Sequence, residues 1–178
     1  TLSGANTYSG ATTVNAGTLS GPIGAGDLTV NSGATMALTA DTSVASFTLN
    51  NGTLGGVNTL SSASGYALNG GTVQANLGAG TLTQASGTTV INGSAASDTV
   101  NITDGTLTLG SDNRLNDSAA VTIANGAALA LGAHSDTVGS LVSNGNVTGS
   151  GTLTAATYTL NQGTVSANLG AGTLTKAS

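Results

Sequence analysis

The chain has 178 residues, of which 5% are charged, 2% aromatic and 38% hydrophobic, with 28 glycines, one proline and no cysteine. A net charge of −5 with only two basic residues, Arg114 and Lys176, leaves no basic patch for nucleic acid or anionic lipid. Without cysteine there is neither a disulfide framework nor a thiolate metal site, and the uncharged stretch 42–97 is broken by Ser, Thr, Asn and Gly too often to enter a membrane.

The N-terminal residues Leu2 to Leu19, LSGANTYSGATTVNAGTL, set a local grammar of short apolar alternations separated by Asn, Gly and Ser. It continues in Leu28-Thr29-Val30, Met36-Ala37-Leu38 and Phe47-Thr48-Leu49, each apolar at a spacing of two. That is strand periodicity; helical spacing is nowhere sustained, and the chain has no Glu and one Lys. Asn-Gly pairs at 51–52, 69–70, 92–93, 125–126 and 144–145 mark tight corners, where both residues tolerate positive φ. The chain opens inside this pattern at Thr1-Leu2-Ser3-Gly4, which predicts a segment of a longer protein.

From Tyr66 to Ser86 the sequence reads YALNGGTVQANLGAGTLTQAS, and it returns from Tyr158 to Ser178 as YTLNQGTVSANLGAGTLTKAS. The offset is 158 − 66 = 92, and 17 of 21 positions are identical. The differences, Ala67/Thr159, Gly70/Gln162, Gln74/Ser166 and Gln84/Lys176, spare every Leu and Val. Such a repeat predicts a fold built by stacking copies, with residues 1–86 and 87–178 as two units of one continuous segment spanning 1–178.

Two all-β arrangements fit this pattern. One is antiparallel hairpins closed by the Asn-Gly turns; the other is a parallel β-solenoid. Strands of three to five residues, several turn signals in each twenty residues and tandem repetition favour the solenoid, with coils of about twenty residues stacked about 4.8 Å apart. Leu68, Val73, Leu82, Val121, Ile123, Leu129, Leu131, Leu160, Val165 and Leu174 are then expected inside, with Thr122 and Ala130 outward or sideways. If the offset between the copies spans four or five coils, they are related by a shift of roughly 19–24 Å. Between Gly105-Thr106-Leu107 and Val121-Thr122-Ile123 the offset to the matching triplets of the first half changes from 88 to 93. Residues 110–118 therefore form a loop five residues longer than its counterpart near 21–27, and such loops often carry binding groups.

The stretch Ser9-Gly10-Ala11-Thr12-Thr13-Val14-Asn15-Ala16-Gly17-Thr18-Leu19 resembles the passenger-associated repeat of bacterial autotransporters. Leu107 to Leu141 resembles a segment that recurs in the same passengers and in giant surface proteins. The resemblance implies a right-handed parallel β-helix, exported through the outer membrane and displayed on the cell surface. The family has no shared catalytic residues to carry over.

Few residues offer site chemistry. His134-Ser135-Asp136 has the residue types of a hydrolase triad, but adjacent residues do not converge on one reacting atom, and a polar turn is the better reading. Asp104, Asp112 and Asp117 are the candidates for calcium, because Asp and Asn at alternate positions of Asp112-Asn113-Arg114-Leu115-Asn116-Asp117 can supply oxygens. Their spacing matches neither an EF-hand nor a calcium-binding β-roll, so a loop in which Arg114 offsets Asp charges is the favoured alternative. The Thr-Leu-Thr triplets at 81–83, 106–108, 152–154 and 173–175 raise the case of threonine rows like those of ice-binding solenoids. Their intervals are unequal and show no row in every coil. Glycine runs such as Gly78-Ala79-Gly80 precede no helix and no Lys, which argues against a phosphate loop.

The sequence therefore predicts an extracellular, non-enzymatic β-solenoid of the bacterial outer surface, a stalk, fibre or passenger segment of an adhesin with no cofactor. Its expected partners are flanking repeats of the same chain or other copies head to tail. The alternative is a glycan- or surface-binding module using the 110–118 loop.

Overall fold

The structure is a computed structural model describing residues 1–177; Ser178, the last position of the second repeat copy, lies outside the described residues. Among the described residues every ladder between strands is parallel and there is no helix. The chain winds as a three-faced solenoid.

One face is a sheet of ten rungs, from Thr12–Val14 through Leu28–Val30, Phe47–Leu49, Tyr66–Leu68 and onward to Thr173–Lys176. A second face starts at Gly17–Ser20 and ends at Asn146–Gly149. The third begins with Thr42–Val44, Thr59–Ser62 and Asn76–Leu77 and is carried by single bridges at Ala95 and Leu115. In the second half the corner from the third face to the first straightens. Asp136–Ser143 and Thr152–Leu160 each run through it as one strand, pairing over seven positions.

Following one register column from Thr12 to Leu174 takes nine coils, so the mean coil falls a little short of the twenty expected. The reason is that several corners need only one or two residues. The coil from Thr12 to Leu28 is among the shortest, and the coil from Val100 to Val121, which contains the 110–118 loop, is the longest of this column. They differ by five residues, the same excess that the repeat offsets give. Tyr66 reaches Tyr158 in five coils, a rise of about 24 Å at strand spacing.

The core is a set of columns, each residue stacked on its equivalent one coil away. Leu28, Phe47, Tyr66, Leu82, Val100, Val121, Leu141 and Tyr158 form one, all at 2% exposure or less. Phe47 and Tyr66 meet edge to face with centroids 6.5 Å apart. A buried tyrosine needs a partner for its hydroxyl, and Tyr66 and Tyr158 donate to the carbonyls of Leu60 and Leu153, each at 3.0 Å.

Leu68, Val73, Leu82, Val121, Ile123, Leu129 and Leu131 are buried as expected, while Thr122 is exposed and Ala130 half-buried. Three expectations fail. Leu160 and Val165 are only half-buried and Leu174 is 56% exposed. Leu82 is covered on both sides, by Tyr66 and Val100, whereas its copy Leu174 pairs with Tyr158 alone. Inward orientation buries a side chain in a solenoid only when coils lie on both sides of it. Gln84 departs from the pattern differently: it points into the core at 0% exposure, its Nε2 donating to the carbonyls of Ser86 (2.6 Å) and Gly87 (3.2 Å).

At the corner between the first and second faces, the residue after each strand repeats as Asn15, Asn31, Asn50 and Asn69. Their amides form a ladder, Asn31 to Asn15 at 2.7 Å, Asn50 to Asn31 at 2.9 Å and Asn69 to Asn50 at 2.9 Å. Ala85, Thr103 and Ala124 interrupt it before Asn161 donates to Asn144 at 3.1 Å.

Candidate functional site

Asp112, Arg114, His134 and Asp136 meet where the long loop 110–118 stacks against the corner 132–136 of the next coil. The strand Thr106–Leu109 ends at Gly110, and the chain crosses to Leu115, whose buried side chain returns the path to the third face through a bridge with Ala95. Asn113 sits at φ +54°, a conformation asparagine tolerates better than most residues. Asn116 closes the turn by accepting the amide of Ser118 at 2.9 Å and donating to Asp98 at 3.0 Å.

Two carboxylates clasp the coils reciprocally. Asp112 accepts the backbone N–H of Ser135 on the next coil at 2.8 Å. Asp136, on that next coil, accepts the N–H groups of Arg114 (2.8 Å) and Leu115 (3.1 Å) and, on its other oxygen, that of Thr137 (2.8 Å). Asp136 is 2% exposed. Burial pushes its pKa up; the amides of Leu115, Arg114 and Thr137 pull the other way, and the negative charge of Asp117 adds to the rise. The clasp uses carboxylates because backbone N–H groups between loops have no strand partner and must be satisfied by side chains.

Arg114 does not pair with the aspartates as expected. Its Nε donates to the carbonyl of Asp112 in its own loop at 2.9 Å and its Nη1 to that of Asn92 on the preceding coil at 2.8 Å, so it ties the two segments together through backbone oxygens. The single carboxylate contact of a basic side chain among the described residues is His134 Nδ1 to Asp112 Oδ1, at 3.4 Å.

His134, Ser135 and Asp136 separate rather than converge. His134 faces Asp112, the Ser135 hydroxyl accepts the N–H of Thr152 at 3.2 Å, and Asp136 turns into the clasp. A hydrolytic relay needs the base bonded to the nucleophile and oriented by the acid, and neither contact is made. The calcium candidates are also dispersed. Asp104 lies at the corner between the first and second faces, where it accepts the N–H of Gly105 at 2.7 Å. Asp112 lies between the second and third faces, and Asp117 between the third and first. Three neighbours in the charge pattern thus occupy three corners of one winding. Among the described residues no group of three or more His, Cys, Asp or Glu is placed to share a metal ion.

The Thr-Leu-Thr triplets fall on different faces: 81–83 and 173–175 on the first, 106–108 on the second and 152–154 on the third. The carboxylate clasp itself is legible in sequence only as Asp on either side of the loop. The separation of Asp112 from Asp136 becomes a contact only once the winding is known.

Among known protein families, the profile of the Passenger-associated-transport-repeat matches residues 1–20. With the parallel solenoid, that match fits an autotransporter passenger repeat. No curated protein and no solved structure matches the chain.

Proposed function

We propose that this chain is a mechanical element of a bacterial surface protein, a non-catalytic shaft that carries other parts of an adhesin away from the cell. The observation behind this reading is the uninterrupted parallel ladder of ten rungs on the first face, with a continuous core column beneath it. Stiffness along the axis follows from that arrangement. Each coil is held to the next by backbone hydrogen bonds, and each fully buried Leu or Val contributes about 1.5–3 kcal/mol. The passenger repeat at residues 1–20 supports export and surface display. The clasp at 112–136 supports a structural role for the charged residues, because their hydrogen bonds run between coils.

In this reading the end face bearing Leu174, Leu160 and Val165 takes a further coil, from a flanking repeat or from another copy head to tail, giving a rod rather than a closed dimer. A glycan at the 110–118 loop is the alternative, favoured by the exposed Asn113 and Asp117 at the rim. Single-molecule stretching of the chain between its termini tests the shaft directly. A mechanical element unravels coil by coil at sustained force; extension at negligible force rules the shaft out. A glycan array that captures the wild type and loses it with D117A would favour the alternative.

A further inference from the structure

We propose that the outward surface of the first face binds the ordered water lattice of an ice surface, through two in-register columns rich in threonine. The columns become visible only when the ladder register is followed. One runs Thr83, Asn101, Thr122, Val142, Thr159, Thr175, and the other Thr81, Thr99, Ala120, Ser140, Thr157, Thr173. The first continues below Thr83 through Ala67 to Thr48, Thr29 and Thr13. Comparing only Thr-Leu-Thr triplets hides these rows, because the coils differ in length and the residue between the threonines varies.

The geometry is that of a two-dimensional grid. Neighbouring positions of a column lie about 4.8 Å apart along the axis, with threonine at four of the six in each column, and the two columns, two residues apart on each strand, lie about 6.7 Å apart. These repeats lie close to the oxygen spacings of ice along the two axes of its prism face. Threonine is stiff at χ1, so its methyl and hydroxyl recur in fixed positions. Val142 keeps the branched shape at one of the interruptions.

Three observations select the occupant. Neither column contains a charged residue, so no ionic ligand is favoured. None of the threonine hydroxyls in the two columns takes part in the side-chain hydrogen bonds of the described residues, which leaves them to solvent. Of the aromatic rings that could stack on a sugar, Phe47, Tyr66 and Tyr158 point inward at 2% exposure or less, and the exposed Tyr8 lies outside both columns, before the first rung, with its hydroxyl bonded to that of Thr12. A small solute would touch one or two coils and gain nothing from a register kept over six. A crystal face gains at every coil. Methyl groups that order adjacent water, beside hydroxyls that bond to it, suit a frozen lattice.

The test is partition of the 178-residue chain into slowly growing ice, with thermal hysteresis measured on the same sample. The wild type is expected to enrich in ice above a non-binding control protein. Thr122→Lys with Thr159→Lys should lose the enrichment while keeping the circular dichroism of the wild type. The matching change on the third face, Ser43→Lys with Ser61→Lys, at exposed partners in register outside any threonine column, should keep it. A folded wild type excluded from ice overturns the proposal, whatever the variants do. Equal loss from both double variants overturns the assignment to the first face. Adsorption to crystalline cellulose or chitin without partition into ice assigns the grid to a polysaccharide and also overturns it.

Discussion

Asn50 donates from Nδ2 to the Oδ1 of Asn31 across one coil at 2.9 Å, and its own Oδ1 accepts Nδ2 of Asn69 at the same distance. An amide carries donor and acceptor on one group, so it can pass a hydrogen bond along a stack indefinitely, as an ionised carboxylate, which only accepts, cannot. Replacing Asn50 with Ala removes two rungs and strands a donor on Asn69 and an acceptor on Asn31. The expected loss is about 1–3 kcal/mol in denaturant unfolding. Asn125→Ala, at an exposed corner with no such stack, should change stability by less than about 0.5 kcal/mol.

The two repeat copies supply an internal control for coil coverage. Leu82 and Leu174 occupy the same repeat position, yet one is 0% and the other 56% exposed. Leu82→Ala should cost about 2–5 kcal/mol, as for truncation in a packed core, and Leu174→Ala less than about 1 kcal/mol. If the end face is covered in solution by another copy, the Leu174 change should instead lower association in light scattering.

Gly71, at φ +111°, lies against the backbone of Gly52 in the coil beneath, leaving no room for a Cβ. Gly71→Ala should therefore destabilise by about 1–3 kcal/mol, from the disfavoured dihedral and the clash together. At Gly10 there is open space and no positive φ, so Gly10→Ala should be neutral or slightly stabilising. Thermal melts of the two variants decide this.

Asp136 gives the chain a pH dependence with a definite sign. Its pKa is raised above the usual 3.8, chiefly by burial. The folded state therefore holds the proton more tightly than the unfolded one. The contribution is fully present below the unfolded pKa and is lost as pH rises through the folded value. Asp136→Asn removes that component. Stability of the wild type relative to the variant should fall with rising pH across this window and then level off. Urea midpoints measured at a series of pH values report it. A difference that grows with pH instead would mean that the three amide donors outweigh desolvation.

The sequence by itself determined the class of fold, through spacing-two apolar triplets such as Leu28-Thr29-Val30 and the near-identical copy of 66–86 at 158–178. Both are local patterns, and strand periodicity together with tandem repetition leaves few architectures. The inward Leu and Val were legible for the same reason. The tertiary structure decided everything that depends on which residue lies one coil away. Coils differ in length by as much as five residues, so no constant sequence interval identifies a stack. Asn15, Asn31, Asn50 and Asn69 therefore read as separate turn residues until the winding aligns them. Asp112 and Asp136 likewise read as members of two unrelated clusters until one coil is laid on the next. Burial at the end of the stack was decided there too. Leu174 keeps the inward orientation that its alternation dictates, but the desolvation that makes a core comes from a neighbour on each side, and orientation alone does not supply it.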